Sequence, residues 1–357
     1  MCCGSPCFHI TLSSPSDDLT SYEDGVITMA STTVVKGDKE FIFNLYLKEH
    51  PQILRNALNL DLDGILLERY YEGLKLDMYA QDLRLGREVL METTLGQSNQ
   101  AHQDKLFKML TTMKEGSAVY LSTCFQKKHV HQLRDFVIQE LGKPIQLYLV
   151  LIDPEVIIYL TELNRLNSLL VYQHLFLIDN VVTPLKIMEL IQHPYYQELR
   201  PKTVKPTPPP DIATREGMNQ QLLTELKKKI PSFFPFQRQK HNTELRMLNF
   251  GAGMAGIGYF LSLEDRYGKA FLELRFEPDK ADWYQHFARF ENYYIKEMGN
   301  NLEFHKSTRT IGYYFSPFRD SDDTIAEMVK VFHWFLEYFT FYVELGKGMI
   351  HREQISG

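Results

Sequence analysis

Between Leu74 and Thr94 the chain reads LKLDMYAQDLRLGREVLMETT, with apolar and polar residues alternating on either side of a polar turn. Period-two alternation predicts strands at about 65–79 and 88–95, paired as an antiparallel hairpin whose turn is centred between Arg84 and Leu85. Upstream, KEFIFNLYLKEHPQILRNALNL carries apolar residues at Phe41, Leu45, Leu47, Ile53, Leu54 and Leu58, which predicts short helices interrupted at Pro51. Downstream, NQAHQDKLFKMLTTM places Leu106, Met109, Leu110 and Met113 on one helical face, and Gly116 ends that helix where the strand SAVYLSTC begins. A second helix over about 127–141 leads to IQLYLVLI, a near-continuous apolar run that reads as a buried strand. Strands interleaved with helices in this order predict an α/β domain.

RPKTVKPTPPPDIATREG then packs five prolines between Pro201 and Pro210, which excludes helix and central strand. Beyond it the pattern predicts a helix, strands over about 245–276, the helix DKADWYQHFARFENYYIKEMG and the helix DTIAEMVKVFHWFLEYFTFYVE, an α+β module. The expected organisation is a flexible N-terminal segment at 1–36, a first domain at 37–160, a connecting segment with the proline-rich linker at 161–216, and a C-terminal α+β domain at 217–357. No internal repeat is visible.

Composition narrows the class. The 357 residues are 44% hydrophobic and 13% aromatic, enough for two ordinary cores. A formal net charge of −6 argues against a surface coated in basic residues but leaves room for a local basic groove. Cys2, Cys3 and Cys7 crowd the N-terminus beside His9, yet adjacent cysteines rarely ligate one ion, so these thiols and Cys124 read as the reduced cysteines of a cytoplasmic protein. MCCGSPCFHITLSSPSDD has neither a basic start nor an apolar run, and no apolar stretch approaches the roughly 20 residues that cross a bilayer, so no membrane association is expected.

The hairpin carries the chemistry of most interest. Its register sets Asp77 opposite Glu92 and Lys75 opposite Thr94 on one face. Opposed carboxylates repel unless a cation lies between them, and hard oxygen ligands suit Mg²⁺ or Mn²⁺. Glu68, in GILLERYYEG, is a third acid at the same end if the chain folds back.

Glu68, Asp77 and the ETT of Glu92 to Thr94 resemble the PD-(D/E)XK nuclease core, in which a helix-borne Glu, a strand-borne Asp and an ExK strand assemble a metal site. KEFIFNLYLKEHPQIL and METTLGQSNQAHQDKL further resemble a group of bacterial proteins of unknown function that join such a core to a C-terminal domain, with Glu92, Thr94, His102 and Lys105 at the matching positions. The resemblance spans most of residues 38–155. It implies a restriction-endonuclease-like mixed sheet flanked by helices, followed by a second α+β domain. It further implies a Mg²⁺- or Mn²⁺-dependent phosphodiesterase acting on nucleic acid, most naturally DNA, with Asp77, Glu92 and Glu68 as metal ligands.

Thr94 departs from the family pattern, because a hydroxyl cannot supply the ammonium that orients water and offsets transition-state charge. Lys75, across the strand pair, and Lys105, on the following helix, are the candidates for that role. His102 and Gln97 are candidate nucleic-acid contacts. The rival expectation is a nuclease-fold module that has lost catalysis and binds nucleic acid or a protein partner; a third, drawn from the acidic net charge, is a protein interaction scaffold with no nucleic acid, and a homodimer is a further partner expectation.

Two other motifs yield to simpler readings. GAGMAGIG, Gly251 to Gly258, satisfies G-x-G-x-x-G but precedes strands, so a glycine-rich turn is expected. Trp283, Tyr284, Phe287, Phe290, Tyr293 and Tyr294 recur at helical spacing and read as a core stripe, with base stacking beside Lys280, Arg289 and Lys296 the functional alternative. Lys306 and Arg309, in KSTRT, could contact phosphate.

Overall fold

A computed structural model describes residues 39–166, 168–202, 210–237, 242–265, 267–340 and 343. The N-terminal segment with Cys2, Cys3, Cys7 and His9 lies outside the described residues, as do the middle of the proline-rich stretch and most residues after Thr340.

Two helices come first, α1 (Lys39–Glu49) and α2 (Pro51–Leu58), and Pro51 opens the second, where its missing N–H costs nothing. Four strands follow: β1 (Leu62–Leu67), β2 (Tyr70–Tyr71), β3 (Leu74–Lys75) and β4 (Met78–Asp82). Next come β5 (Arg87–Gln97), α3 (Gln100–Thr112), β6 (Gly116–Cys124), α4 (Lys127–Asp135) and β7 (Ile145–Ile152). Helices α5 (Val156–Leu163) and α6 (Ser168–His174) then lead to β8 (Leu185–Gln192).

The first sheet has six strands in the order β1-β4-β5-β6-β7-β8. It is mixed: β5, β6 and β7 run parallel, and the remaining neighbours pair antiparallel. On one face Phe43, Leu45, Leu54 and Leu160 pack against Met78, Met91, Val119 and Val150. On the other, Leu106, Met109, Leu110 and Leu133 pack against Leu90, Tyr120, Leu147 and Leu149. The central strands are buried from both sides, which accounts for the apolar run of β7.

The β4–β5 hairpin has the expected register, with Met78 opposite Met91 and Asp82 opposite Arg87. The single long strand expected over 65–79 is instead broken. Glu68, Glu72 and Gly73 take positive φ, and the chain between β1 and β4 folds into the small β2–β3 hairpin. Gly116 starts β6 at φ +118, where a Cβ would sit 2.5 Å from the Glu88 carbonyl oxygen, so the close approach of β5 and β6 requires glycine. Residues 161–216 do more than connect, since they contribute β8, which pairs along β7 and completes the sheet.

The remaining elements are α7 (Arg215–Lys229), β9 (Leu248–Gly251), β10 (Ile257–Ser262), β11 (Ala270–Phe276), α8 (Ala281–Ala288), α9 (Glu291–Met298), β12 (Leu302–His305), β13 (Thr310–Phe315) and α10 (Ser321–Phe335). They form an antiparallel five-stranded sheet, β12-β13-β11-β10-β9. Leu222 and Leu226 of α7 and Met328, Phe332 and Phe335 of α10 share its core with Tyr259, Leu272 and Leu274. GAGMAGIG is the turn between β9 and β10, with Gly253 and Gly256 at positive φ. Tyr284, Phe287 and Tyr294 are core residues, whereas Phe290 and Tyr293 are exposed. KSTRT forms the β12–β13 turn, a hairpin that the sequence pattern did not announce. Among the described residues no helix is long and apolar enough to cross a membrane.

One buried bond fixes α1 to the sheet: the Thr93 hydroxyl donates to Asn44 Oδ1 at 2.7 Å. Thr93→Val keeps the shape but strands the Asn44 oxygen in the core, and it is expected to cost about 1–3 kcal/mol. Chemical denaturation measures this, and an unchanged midpoint would mean that the bond does not hold the helix.

Candidate functional site

Alternation along β5 turns Met91 and Thr93 toward α1 and directs Glu92 and Thr94 to the α3 face. Glu92 is 1% exposed, because β5 is a central strand and α3 covers it. Two cationic side chains from α3 meet it there. His102 Nδ1 lies 3.1 Å from Glu92 Oε1, and the Lys105 ammonium contacts Glu92 Oε2. The helix is set for this by its cap, since the Asn99 side chain accepts from the His102 N–H at 3.1 Å.

Asp77 lies just before β4 and joins the same group. Its Oδ2 accepts from the Thr93 N–H at 2.8 Å, and its Oδ1 accepts from Lys105 Nζ at 3.3 Å. One ammonium thus bridges the two carboxylates. A further acid approaches from α1: Glu40 Oε1 accepts from the Leu95 N–H at 3.1 Å, and its charge acts on His102 and Tyr120.

Protonation follows from this crowding. Burial raises the Glu92 carboxyl above its ordinary range, and the His102 hydrogen bond and Lys105 charge oppose that shift. His102 is raised by its bond to Glu92 against the opposing effect of burial. For Lys105, burial pulls downward, but Glu92 and Asp77 outweigh it, so the ammonium is held charged.

Thr94 stands two residues beyond Glu92 on the same face of β5. Its hydroxyl is buried beside that of Tyr120, the cross-strand partner of Glu92, and neither hydroxyl reaches a full hydrogen bond. Burial pushes the Tyr120 phenol up to about 12.

Of the residues singled out from sequence, Asp77, Glu92, Thr94, His102 and Lys105 come together. Glu68 does not, because it sits in the turn after β1 at φ +49 and forms an ion pair with Lys75 at 3.0 Å. Lys75 is likewise displaced. The β4–β5 ladder stops at Met78, and Lys75 pairs with Tyr70 rather than facing Thr94. Gln97 is exposed at the end of β5, with its amide 4.0 Å from Cys124 Sγ, away from the carboxylates. Lys75→Ala is therefore expected to leave the site unaltered and to change stability by less than about 0.5 kcal/mol, as for an exposed ion pair. A measured loss of nucleic-acid binding or turnover in that variant would return Lys75 to the site.

Glu40 was missed from sequence. An acid in the first turn of a helix is ordinarily a dipole partner, and only the packing of α1 on β5 brings this one near Glu92 and His102. Its signal was its place in the helix preceding the hairpin.

Among the described residues no group of three or more His, Cys, Asp or Glu side chains is arranged to hold a metal. The pair Asp77 and Glu92 nevertheless fits a hard divalent ion, because both carboxylates reach a single cationic centre and Mg²⁺ is commonly held by one or two carboxylates with substrate phosphate and water completing its shell. No protein-family model matches the chain, and a search of curated proteins finds no match.

Proposed function

We propose that this protein is a divalent-metal-dependent, nuclease-like protein of the PD-(D/E)XK type that binds nucleic acid, most naturally DNA, and hydrolyses its phosphodiester bonds. The observation that carries the reading is the meeting of Asp77 and Glu92 on one ammonium, that of Lys105. Helix-borne Glu40 supports it as well, because it supplies the acid that Glu68 does not.

Asp77 and Glu92 would hold Mg²⁺ or Mn²⁺, which when bound polarises a phosphate oxygen and acidifies water. Lys105, kept charged by the two carboxylates, offsets negative charge as it develops on the phosphate. His102 carries its proton toward Glu92 and stands at the first turn of α3, where a phosphate oxygen finds both an imidazolium and the positive end of the helix dipole.

A second reading is a nuclease-fold module that binds nucleic acid or a protein without cutting. Thr94 favours it, and so does the pairing of both acids with cationic groups of the protein itself, Asp77 with Lys105 and Glu92 with Lys105 and His102. Plasmid and single-stranded DNA incubated with the purified protein in Mg²⁺, Mn²⁺ or EDTA separate the two. Cleavage that needs metal supports hydrolysis. Salt-sensitive DNA binding without cleavage in either metal supports the module.

A further inference from the structure

Parallel pairing of β5 with β6 sets Tyr120 directly beside Glu92, and Thr94 stands two residues farther along β5 on the same face. Both hydroxyls are buried, next to one another, with hydrogen-bonding capacity unspent. Buried polar atoms of that kind are rare in folded proteins and concentrate where a protein does chemistry or holds a small polar molecule. The Tyr120 ring cannot readily turn away: it is fully buried, and Phe125 packs edge-on against it at 5.3 Å between centroids.

We propose that the Tyr120 hydroxyl, together with that of Thr94, holds the attacking water for phosphodiester hydrolysis. The proposal rests on the hydrolytic reading above and gives two hydroxyls the water-orienting task that a lysine at position 94 would otherwise have. The phenol and the threonine hydroxyl lie side by side, and Glu92, the cross-strand neighbour of Tyr120 on the same face, acts on the phenol through its charge; two to four such polar partners are what an ordered buried water takes. A tyrosine phenol carries its proton at neutral pH, so it is a donor there. In the step itself the water oxygen bonds to phosphorus while the bond from phosphorus to the leaving oxygen breaks. One water proton passes to solvent, and the leaving oxygen takes a proton from solvent.

The test uses the full chain, Mn²⁺ and a labelled DNA oligonucleotide under single-turnover conditions, comparing wild type with Tyr120→Phe, Thr94→Val and Thr94→Ser. Tyr120→Phe is expected to slow cleavage by about 10–100-fold, and Thr94→Val similarly, while Thr94→Ser stays within about threefold of wild type. DNA affinity measured in Ca²⁺ should move less than about twofold. The thermal midpoint of Tyr120→Phe should hold or rise, because the change removes a buried hydroxyl that lacks a full bond. Equal cleavage rates for wild type and Tyr120→Phe would overturn the proposal and leave the hydrolytic reading standing. A lower midpoint, with affinity and rate falling together, would make Tyr120 a packing residue and overturn it too. A wild type inert toward DNA in Mg²⁺ and Mn²⁺ would remove the hydrolytic reading and the proposal with it.

Discussion

Asp77→Asn and Glu92→Gln, made together, are expected to lower metal-dependent cleavage by more than about 10³-fold. Amides preserve the size of the side chains, and the asparagine oxygen can still accept from the Thr93 N–H, so the local fold has little reason to change. What disappears is the pair of negative charges that a hard divalent ion requires. Mn²⁺ binding followed by calorimetry should vanish alongside cleavage. The isosteric pair is more informative than alanines, because truncating Glu92, at 1% exposure, would also leave a void beneath α3. Cleavage by the double variant at the wild-type rate would place the activity elsewhere on the molecule or in a contaminant.

Lys105→Ala is expected to slow cleavage by about 10²–10³-fold without weakening Mn²⁺ binding. Two opposing effects make this informative. On the proposed hydrolytic reading the ammonium stabilises charge on the phosphate, so its loss would raise the barrier. The same ammonium competes with a metal for Asp77 and Glu92, so its loss should tighten Mn²⁺ binding. Adding Thr94→Lys to Lys105→Ala should recover at least about tenfold of the lost rate, since position 94 lies on the Glu92 face of β5 and a lysine there approaches the same carboxylates from the strand instead of the helix. Wild-type turnover in Lys105→Ala would refute the role of this lysine. A folded double variant with no recovery would mean that Tyr120 fills the space such a lysine needs.

Much of this arrangement could be read from the chain before any coordinates, and the parts that could not share a physical cause. The β4–β5 register was legible because a short polar turn leaves one pairing that buries Met78, Ala80, Val89 and Met91 together. Helix α3 was legible from Leu106, Met109 and Leu110, and its end from Gly116. Strand β8 was not, because LKIMELIQ lies at the edge of the sheet and its apolar residues do not alternate cleanly. Glu68 was misplaced because three positive-φ residues within six positions, Glu68, Glu72 and Gly73, reverse a chain whose composition reads as continuous strand. Tyr120 was not singled out, since its position beside Glu92 depends on parallel pairing, and helix packing sets that register over a long crossover. Local patterns fixed what depends on neighbours in sequence. Glu40 and Tyr120 depend on neighbours in space.

The two signs of charge at the site have separate anchors. The acids hang from the sheet and from α1, whereas His102 and Lys105 both belong to α3, whose Leu106, Met109 and Leu110 are rooted in the core. A small slide or roll of that single helix therefore moves both cations at once. Packing beneath α3 acts as a tuning screw for the electrostatic balance above it, and repacking Leu106 or Leu110 could shift the chemistry of the site without altering any side chain within it.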